Sequence, residues 1–484
     1  MPELPQPRES LKFNARALNY SITGHDDTKP DLLRFGPQST DPCYCVTTSK
    51  NNWRRGIIKR CAHAENKTDR KLLVEFYKFV HGIIKKLPIL EGGHDFFELR
   101  EDWLLNSNYS AKRREFLRQS GLKVLNGEVS KHRLYQCKSF IKREFYGELK
   151  EPRIINSRSD FFKAVAGPFI HAIEKLVYDE HFIKHMHPDE VAAKMTDLAK
   201  GFDLFYETDY SSFEGSFTLD FQKHVELAMF KHCLANYPEA TSLIEGAYST
   251  NYLHYGDVSC SFEGSRMSGD MWTSLANGFS NYCICKFMMM KSGSYGNFLV
   301  EGDDGYIACT KEIDFTIARD LGFKLKVEPR TNHRDISFCS LHVCDGRIIP
   351  DIRRTLNHFG SSCQLKIANL YQGTSKRSKR RFKQFIKSKA LSLLAVGRGI
   401  PVLQEISLQL LRLHEGVGIN TQFIDWWERN FFDMSNLKPE PITESVRKYV
   451  ENEFNIPVDL QFKIETAVRN CDCICYDISL PAPK

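Results

Sequence analysis

Asp303 and Asp304 stand side by side between Gly302 and Gly305, in the stretch Val-Glu-Gly-Asp-Asp-Gly at 300–305. Short apolar runs flank them, Asn297–Val300 and Tyr306–Cys309. Two such runs joined by glycine and aspartate predict a β-hairpin with a tight turn. Carboxylates at its tip point into solvent together and suit a hard cation such as Mg²⁺. A third carboxylate, Asp209, closes the run Phe202–Thr208, whose aromatic and β-favouring residues read as a buried strand. The Ser-Ser/Gly segment that follows reads as a turn, and a helix is expected from Thr218 as N-cap. A strand-end carboxylate and a hairpin-tip pair can share metal ions. Two Mg²⁺ ions about 4 Å apart would then clamp the attacking and leaving oxygens of a phosphoryl transfer.

Residues 264–278 read Gly-Ser-Arg-Met-Ser-Gly-Asp-Met-Trp-Thr-Ser-Leu-Ala-Asn-Gly. Ser268-Gly269 is expected to be a flexible elbow, with Asp270 capping a helix that runs on through Phe287. Thr273, Asn277 and Asn281 are spaced by four and share a face, which the pattern predicts to be exposed. Trp272, Leu275, Phe279 and Cys283 are offset toward the buried side.

Upstream lie Phe140-Ile-Lys-Arg-Glu and Glu151-Pro-Arg-Ile-Ile-Asn-Ser-Arg. Lys142, Arg153 and Arg158 alternate with apolar residues, so strands presenting cations at intervals are expected. Cations so held neutralise and position a triphosphate.

In chain order these segments resemble the motifs of viral RNA-dependent RNA polymerases. The basic segment at 140–158 resembles motif F, and Asp209 to Glu214 motif A. Ser268 to Asn277 resembles motif B, and Gly302-Asp303-Asp304 motif C. Leu321-Gly-Phe-Lys-Leu-Lys-Val-Glu is similar to motif D, and Ile336-Ser-Phe-Cys-Ser to motif E. Arg266-Met-Ser-Gly-Asp-Met-x-Thr and Pro152-Arg-Ile-Ile point to the tombusvirus and nodavirus side of the positive-strand RNA viruses. The match runs from about 138 to 345 and is looser over 1–95 and 350–484. One departure is Glu214, where motif A usually has Asp; the added methylene alters the loop geometry and the sugar contact made there.

The resemblance implies an α+β right hand of fingers, palm and thumb, with an antiparallel palm sheet and a mostly helical thumb. It implies template-directed transfer of ribonucleoside triphosphates. Asp209, Asp303 and Asp304 would hold Mg²⁺, for which Mn²⁺ can substitute, and Lys326 would protonate the leaving pyrophosphate, with Lys324 the second choice. The two lysines are expected on opposite faces of a strand, so that only one reaches the site. Lys142, Arg153 and Arg158 would contact the triphosphate. Glu214, Ser268, Thr273 and Asn277 would surround the nucleotide, with Glu214 and Asn277 selecting ribose. RNA template and product are the implied partners, together with other viral replication proteins. The implied setting is the host cytoplasm, in membrane-associated complexes reached through a partner.

Composition agrees. A chain of 484 residues, 42% hydrophobic, can bury a large core, and its length suggests about three domains. The net charge of +7 is clustered. Lys376, Arg377, Lys379, Arg380, Arg381, Lys383, Lys387 and Lys389 form a run without acids that is read as an RNA contact. Lys112, Arg113, Arg114 and Arg118 form a second cluster, assigned to the template path. Fifteen cysteines without scaffold density, and no signal peptide, predict free thiols in a reducing compartment. Cys43-x-Cys45 with Cys61-x-His63, and Cys471-x-Cys473-x-Cys475, lack the usual zinc spacing and are read as ordinary thiols. No apolar run reaches 18 residues, so no membrane span is expected.

The expected organisation is an extension at 1–95 bridging fingers and thumb, fingers at 96–200, palm at 201–345 with a return to the fingers near 222–262, and thumb at 346–484. Helical periodicity marks Lys71–Lys86, Leu391–Leu411 and Ser445–Phe454. Two rival functions are disfavoured. A reverse transcriptase usually carries another residue where Gly302 precedes Asp-Asp, and Asn277 and Glu214 suit ribonucleotides. A non-catalytic RNA-binding scaffold has no need of Asp209, Asp303 and Asp304 together.

Overall fold

The computed structural model describes residues 19–22, 33–42, 44–46, 48–61, 67–330, 337–339, 341–344, 346–362, 364–425, 428–429, 432–434 and 436–482. It is a mixed α+β chain with antiparallel sheets.

The acidic residues stand on a four-stranded antiparallel sheet ordered Gly296–Glu301, Asp304–Cys309, Leu204–Tyr210, Leu325–Arg330. In the first three of its strands the alternation is apolar on both faces, whereas Leu325–Arg330 at the edge alternates apolar and charged residues. Phe298, Val300, Ile307 and Tyr206 enter the largest core, whereas Leu299, Tyr306, Ala308 and Phe205 pack with Val191 and Met195 of the helix Pro188–Ala199. A sheet covered on both sides is a rigid base for groups at its ends. The expected hairpin is present. The expected strand before Asp209 reaches further, to Tyr210, so Asp209 lies inside it.

The long helix Thr273–Lys291 crosses under the hairpin. Asp270 does not cap it: the N-cap is Trp272, without a side-chain hydrogen bond, and Asp270 is held by Arg158. Nor is the Thr273/Asn277/Asn281 face exposed. Asn277, Ser280 and Asn281 are buried with Leu275, Phe279 and Cys283, so the helix is enclosed nearly all round. Thr218 does cap the turn Leu219–Gln222, its hydroxyl accepting from Phe221 N.

A five-stranded sheet is ordered Asn19–Ile22, Val258–Glu263, Thr250–Tyr255, Cys137–Ile141, Ile154–Arg158. It joins segments far apart in the chain. One face is closed by the helix Lys50–Cys61, whose Trp53, Ile57 and Cys61 pack against Cys137, Ile141, Ile154, Leu253 and Phe262.

Beyond residue 350 helices dominate, around a second core that includes Ile352, Leu356, Ile386, Leu393, Leu403, Leu410 and Val450. The expected helix Leu391–Leu411 is two helices, Lys376–Gly397 and Leu403–Leu413. Pro401 and the left-handed Gly399 (φ 72°) and Val402 (φ 69°) break it, although the apolar periodicity runs on. The expected helices at 71–86 and 445–454 are Arg70–Ile84 and Glu444–Phe454.

Residues 33–46 tie the two ends together. Leu33–Arg34 pairs with Ser361–Ser362, and Gln38–Ser39 runs parallel to Asp477–Ile478. Tyr44–Cys45 then pairs with Phe145–Tyr146. Cys43 and His63 of the first thiol cluster lie outside the described residues. In the second, the carbonyls of Cys471 and Cys473 accept from Gln409 Nε2. The described cysteines are free thiols, and among the described residues no helix is long and apolar enough to cross a membrane.

Candidate active site

Glycine sets both ends of the acidic turn. Gly302 has φ 61°, a left-handed conformation that favours glycine. A Cβ at Gly305 would collide with Thr208 Oγ1 on the adjacent strand. Gly305 pairs with Thr208, so Asp304 and Asp209 are the next residues along these two strands. On the other edge, Asp209 pairs with Lys326, whose Nζ is 3.5 Å from Asp209 Oδ2. Asn281 secures the turn from below, its Nδ2 donating to the carbonyls of Asp304 (3.0 Å) and Gly302 (3.3 Å). Tyr210 donates to Asn281 Oδ1 at 3.3 Å.

The aspartates and Lys326 line a cleft of about 1130 Å³. Asp209, Glu214, Asp303 and Asp304 are on its wall with Lys324 and Lys326. Burial, then the charges of Glu214 and Asp304, pushes the Asp303 carboxyl up to about 7. Burial and Asp209 push Asp304 up to about 6, against a lowering hydrogen bond from Cys339. Massed carboxylates at a half-buried site raise one another in this way, and a bound cation reverses it. The donors are all hard oxygens, a chemistry that suits a hard divalent cation.

Both lysines reach the cleft, against the expectation that only one would. Residues two apart on an extended chain share a face, so Lys324 and Lys326 were never opposed. Only Lys326 lies within the strand and pairs with Asp209. Lys324 precedes the strand, and its carbonyl accepts from Ser211 N at 2.9 Å.

The basic segment divides. Arg153 lines the cleft, and Lys142 approaches it through Glu144, which lies 3.1 Å from Lys142 Nζ and 3.7 Å from Arg153 Nε. Arg158 is not in the cleft. It is 2% exposed, donates to Asp270 at 2.6 and 2.9 Å, and also bonds Asn251 and the Tyr135 carbonyl. Such a charge is compensated within the fold and is unavailable to a phosphate.

The motif-B-like residues are also outside the cleft lining. Thr273 Oγ1 donates to the carbonyls of Met267 and Asp270, both at 3.0 Å. Asn277 is 4% exposed, and its Oδ1 accepts from Arg266 Nε at 3.0 Å. Arg266 is itself ion-paired with buried Glu226, which Tyr248 also reaches. Ser268 is half-buried. Gly269 is no elbow: it bridges Ser157, and a Cβ on it would lie 2.8 Å from Ser157 Cα.

Lys376, Arg377, Lys379 and Arg380 are exposed, and Arg381 half-buried, in the first turns of their helix, outside the cleft lining. Lys112 is exposed, but the rest of its cluster is structural: Arg113 holds Asp160, Arg118 holds Glu101 and Arg114 the Tyr109 carbonyl. Sequence reasoning missed Lys59, Arg60, Arg353, Arg354 and His358, which also line the cleft. The Arg353-Arg354 doublet was the available signal. Of the motif-E-like segment, Ser337–Cys339 are described, while Ile336 and Ser340 lie outside the described residues.

Residues 140–475 match the family described as viral RNA dependent RNA polymerase. Among curated proteins, the chain is 24% identical to an RNA-directed RNA polymerase of Melon necrotic spot virus, over 91% of this chain and 60% of that protein. It is 24% identical to one of Carnation mottle virus, over 87% of this chain and 57% of the other. The same identity relates it to one of Pariacoto virus, over 60% and 30% respectively. The chain thus spans about three fifths or less of the length of these relatives.

Proposed function

This chain belongs to the viral RNA-dependent RNA polymerase family, and we propose that it copies an RNA template by transferring ribonucleoside monophosphates to a growing 3′ end. The observation that carries this is the convergence of Asp209, Asp303 and Asp304 with Lys326 on one cleft, in a chain of that family. In this reading the four-stranded sheet is the palm, the five-stranded sheet belongs to the fingers, and the helices after 350 form the thumb. Residues 33–46 bridge the last two.

The 3′-hydroxyl oxygen attacks the α-phosphorus, the bond to the bridging oxygen breaks, and pyrophosphate leaves. The three aspartates would hold divalent metal, with Asp209 and Asp303 the principal ligands. When bound, Mg²⁺ supplies charge neutralisation and acidifies the attacking hydroxyl. Arg153 and Lys142 orient the triphosphate, and Lys326 gives a proton to the departing pyrophosphate. Glu214 faces the sugar. Asn281 keeps the aspartate pair in place by fixing its turn. The cations of Lys376–Arg381, exposed apart from half-buried Arg381, follow an RNA backbone. Positioning and charge neutralisation do most of the work, and template base pairing chooses the nucleotide. Work in the host cytoplasm alongside other replication proteins accords with this reading.

The test is template-dependent incorporation of labelled ATP with Mg²⁺, beside dATP, in native protein and Asp303→Asn. Native protein should incorporate ATP. The variant should keep its fold and RNA affinity and lose synthesis, because a lost metal ligand costs several kcal/mol of transition-state stabilisation. A variant rate above about a tenth of native would remove Asp303 from the chemistry.

A further inference from the structure

We infer that Ser265 and the buried ion pair Arg266–Glu226 are positioning residues for nucleotide choice: they hold from behind the turn that carries Glu214, and so set the preference for ATP over dATP without touching either. The inference rests on the reading in which Glu214 faces the sugar. Glu214 lies in a single turn of helix, Phe213–Ser216, entered through left-handed Ser212 (φ 56°) and without a side-chain cap. So short a helix has little stability of its own. The carboxylate is on the cleft wall, and glutamate has one more rotatable bond than aspartate, so its reach is only as well defined as its backbone. That backbone is held from outside. The Glu214 carbonyl accepts from Arg266 N at 2.9 Å and from Ser265 Oγ at 3.1 Å, and the Phe217 carbonyl accepts from Ser265 N at 2.9 Å. Ser265 is itself left-handed (φ 63°) and 2% exposed. A side chain kept in that region persists only where its surroundings over-determine it. Here Gln222 Nε2 also donates to the Ser265 carbonyl, at 3.3 Å.

Arg266 anchors the assembly. Its guanidinium lies 4.7 Å over the Phe217 ring and is ion-paired with Glu226, and both charged side chains are buried away from the cleft lining. Glu226 stands in a π-helical turn, Lys223–Leu227, a geometry that recurs at functional sites, and Tyr248 donates to it at 3.0 Å. A buried ion pair adds little to stability, since apolar residues of the same volume serve as well. What this one supplies is a single geometry. It links the π turn to the long helix, through Asn277, and to the Glu214 turn, through the Arg266 backbone. Without Asn277 the guanidinium keeps Glu226 and the Phe217 ring, so the carboxylate is the anchor and the amide a side support.

Two measurements on the full chain test this. Amide hydrogen exchange at residues 211–217, without nucleotide or template, reads whether the turn is held. The ratio of kcat/KM for ATP to that for dATP, on one template, reads what the holding does. Ser265→Ala removes a hydroxyl and no charge, and Glu226→Gln keeps the shape of the anchor. Each should speed exchange of the turn about tenfold and lower the ATP preference about tenfold, through ATP alone. Where Glu226→Gln fails to fold, Ser265→Ala decides. In a Glu214→Ala protein, whose preference is already lost, Ser265→Ala should lower it no further, because two changes acting through one carboxylate are not additive. Native exchange of the turn in Ser265→Ala overturns the inference, whether or not the protein polymerises. So does faster exchange with native preference, since the contact is then merely structural. A preference that falls in Ser265→Ala but not in Glu214→Ala upholds the positioning and takes the sugar contact from Glu214.

Discussion

Lys326 stands opposite Asp209 on the adjacent strand, with its ammonium 3.5 Å from the carboxylate. The pair is well exposed, so it contributes little to stability, and the lysine is free to exchange the aspartate for an anionic leaving group. Lys326→Leu should lower single-turnover incorporation by about 10²–10⁴-fold and leave melting unchanged. Lys324→Leu, which removes a cation from the same cleft but not from this pair, should act chiefly on nucleotide affinity. The reverse pattern would transfer the proton-donor role to Lys324.

Arg158 should behave as a structural residue. Its bidentate pair with Asp270 ties the five-stranded sheet to the loop before the long helix, with both side chains almost fully buried. Arg158→Ala strands a buried carboxylate and should cost about 3–5 kcal/mol of unfolding free energy. Arg153→Ala, at the cleft, should leave stability intact and raise KM for nucleotide. Urea midpoints for the two variants, read beside KM, separate these roles. An Arg158→Ala protein with native stability and raised KM would return that residue to the triphosphate.

Glu174 supplies a pH signature away from the aspartates of the cleft. Burial raises its carboxyl from 4.5 to about 7, Glu301 adds to this, and Lys184 opposes it. The folded state therefore keeps a proton that the unfolded chain loses between 4.5 and about 7. A raised carboxyl stabilises most below the lower value, and its contribution falls as pH climbs through that window. Glu174→Gln holds the neutral shape at every pH. At about pH 8 it should be more stable than native by about 1–3 kcal/mol, and the difference should vanish near the lower end of the window. Urea midpoints at the two pH values check this, and a pH-independent difference would mean the burial effect is not the cause.

The acidic hairpin was legible because its signals are local: two apolar runs, glycines at the turn and adjacent aspartates. An antiparallel sheet was expected around it, but its four strands and their order were not, because the pairing of Leu204–Tyr210 with Leu325–Arg330 joins segments more than a hundred residues apart. What local pattern could not carry was the fate of polar residues whose partners are remote. Arg158 and Asp270 are 112 positions apart, so nothing beside Arg158 announces that it is already paired. Asn277 looked exposed because polar spacing on a helix usually marks a solvated face. Here that face is enclosed, and Arg266 takes up the amide. Gly269 looked flexible for want of a side chain, whereas the space is filled by the backbone of Ser157. The lysine error was one of geometry, since alternate residues share a face.

Glu214 and Asn277 were paired in the sequence as the groups that choose ribose, and the fold separates them. Glu214 lines the cleft beside Asp303, whereas Asn277 is enclosed with its carbonyl oxygen committed to Arg266. A carboxylate in the cleft can accept from a 2′-hydroxyl, whereas a buried amide held by Arg266 outside the cleft lining does not meet one there. Glu214→Ala should therefore reduce kcat/KM for ATP by about 1–3 kcal/mol and leave dATP almost unchanged, because only the ribonucleotide loses a partner. Asn277→Ala should instead leave the Arg266 guanidinium short of an acceptor, lower stability by about 1–3 kcal/mol, and depress both nucleotides alike. The measurement is kcat/KM for ATP and dATP on one template, with a urea midpoint for each protein. If Asn277→Ala keeps native stability and shifts the ATP to dATP ratio, the amide leaves Arg266 when nucleotide binds and reads the sugar after all. If Glu214→Ala lowers both nucleotides equally, the carboxylate shapes the turn after Asp209 and does not contact the ribose.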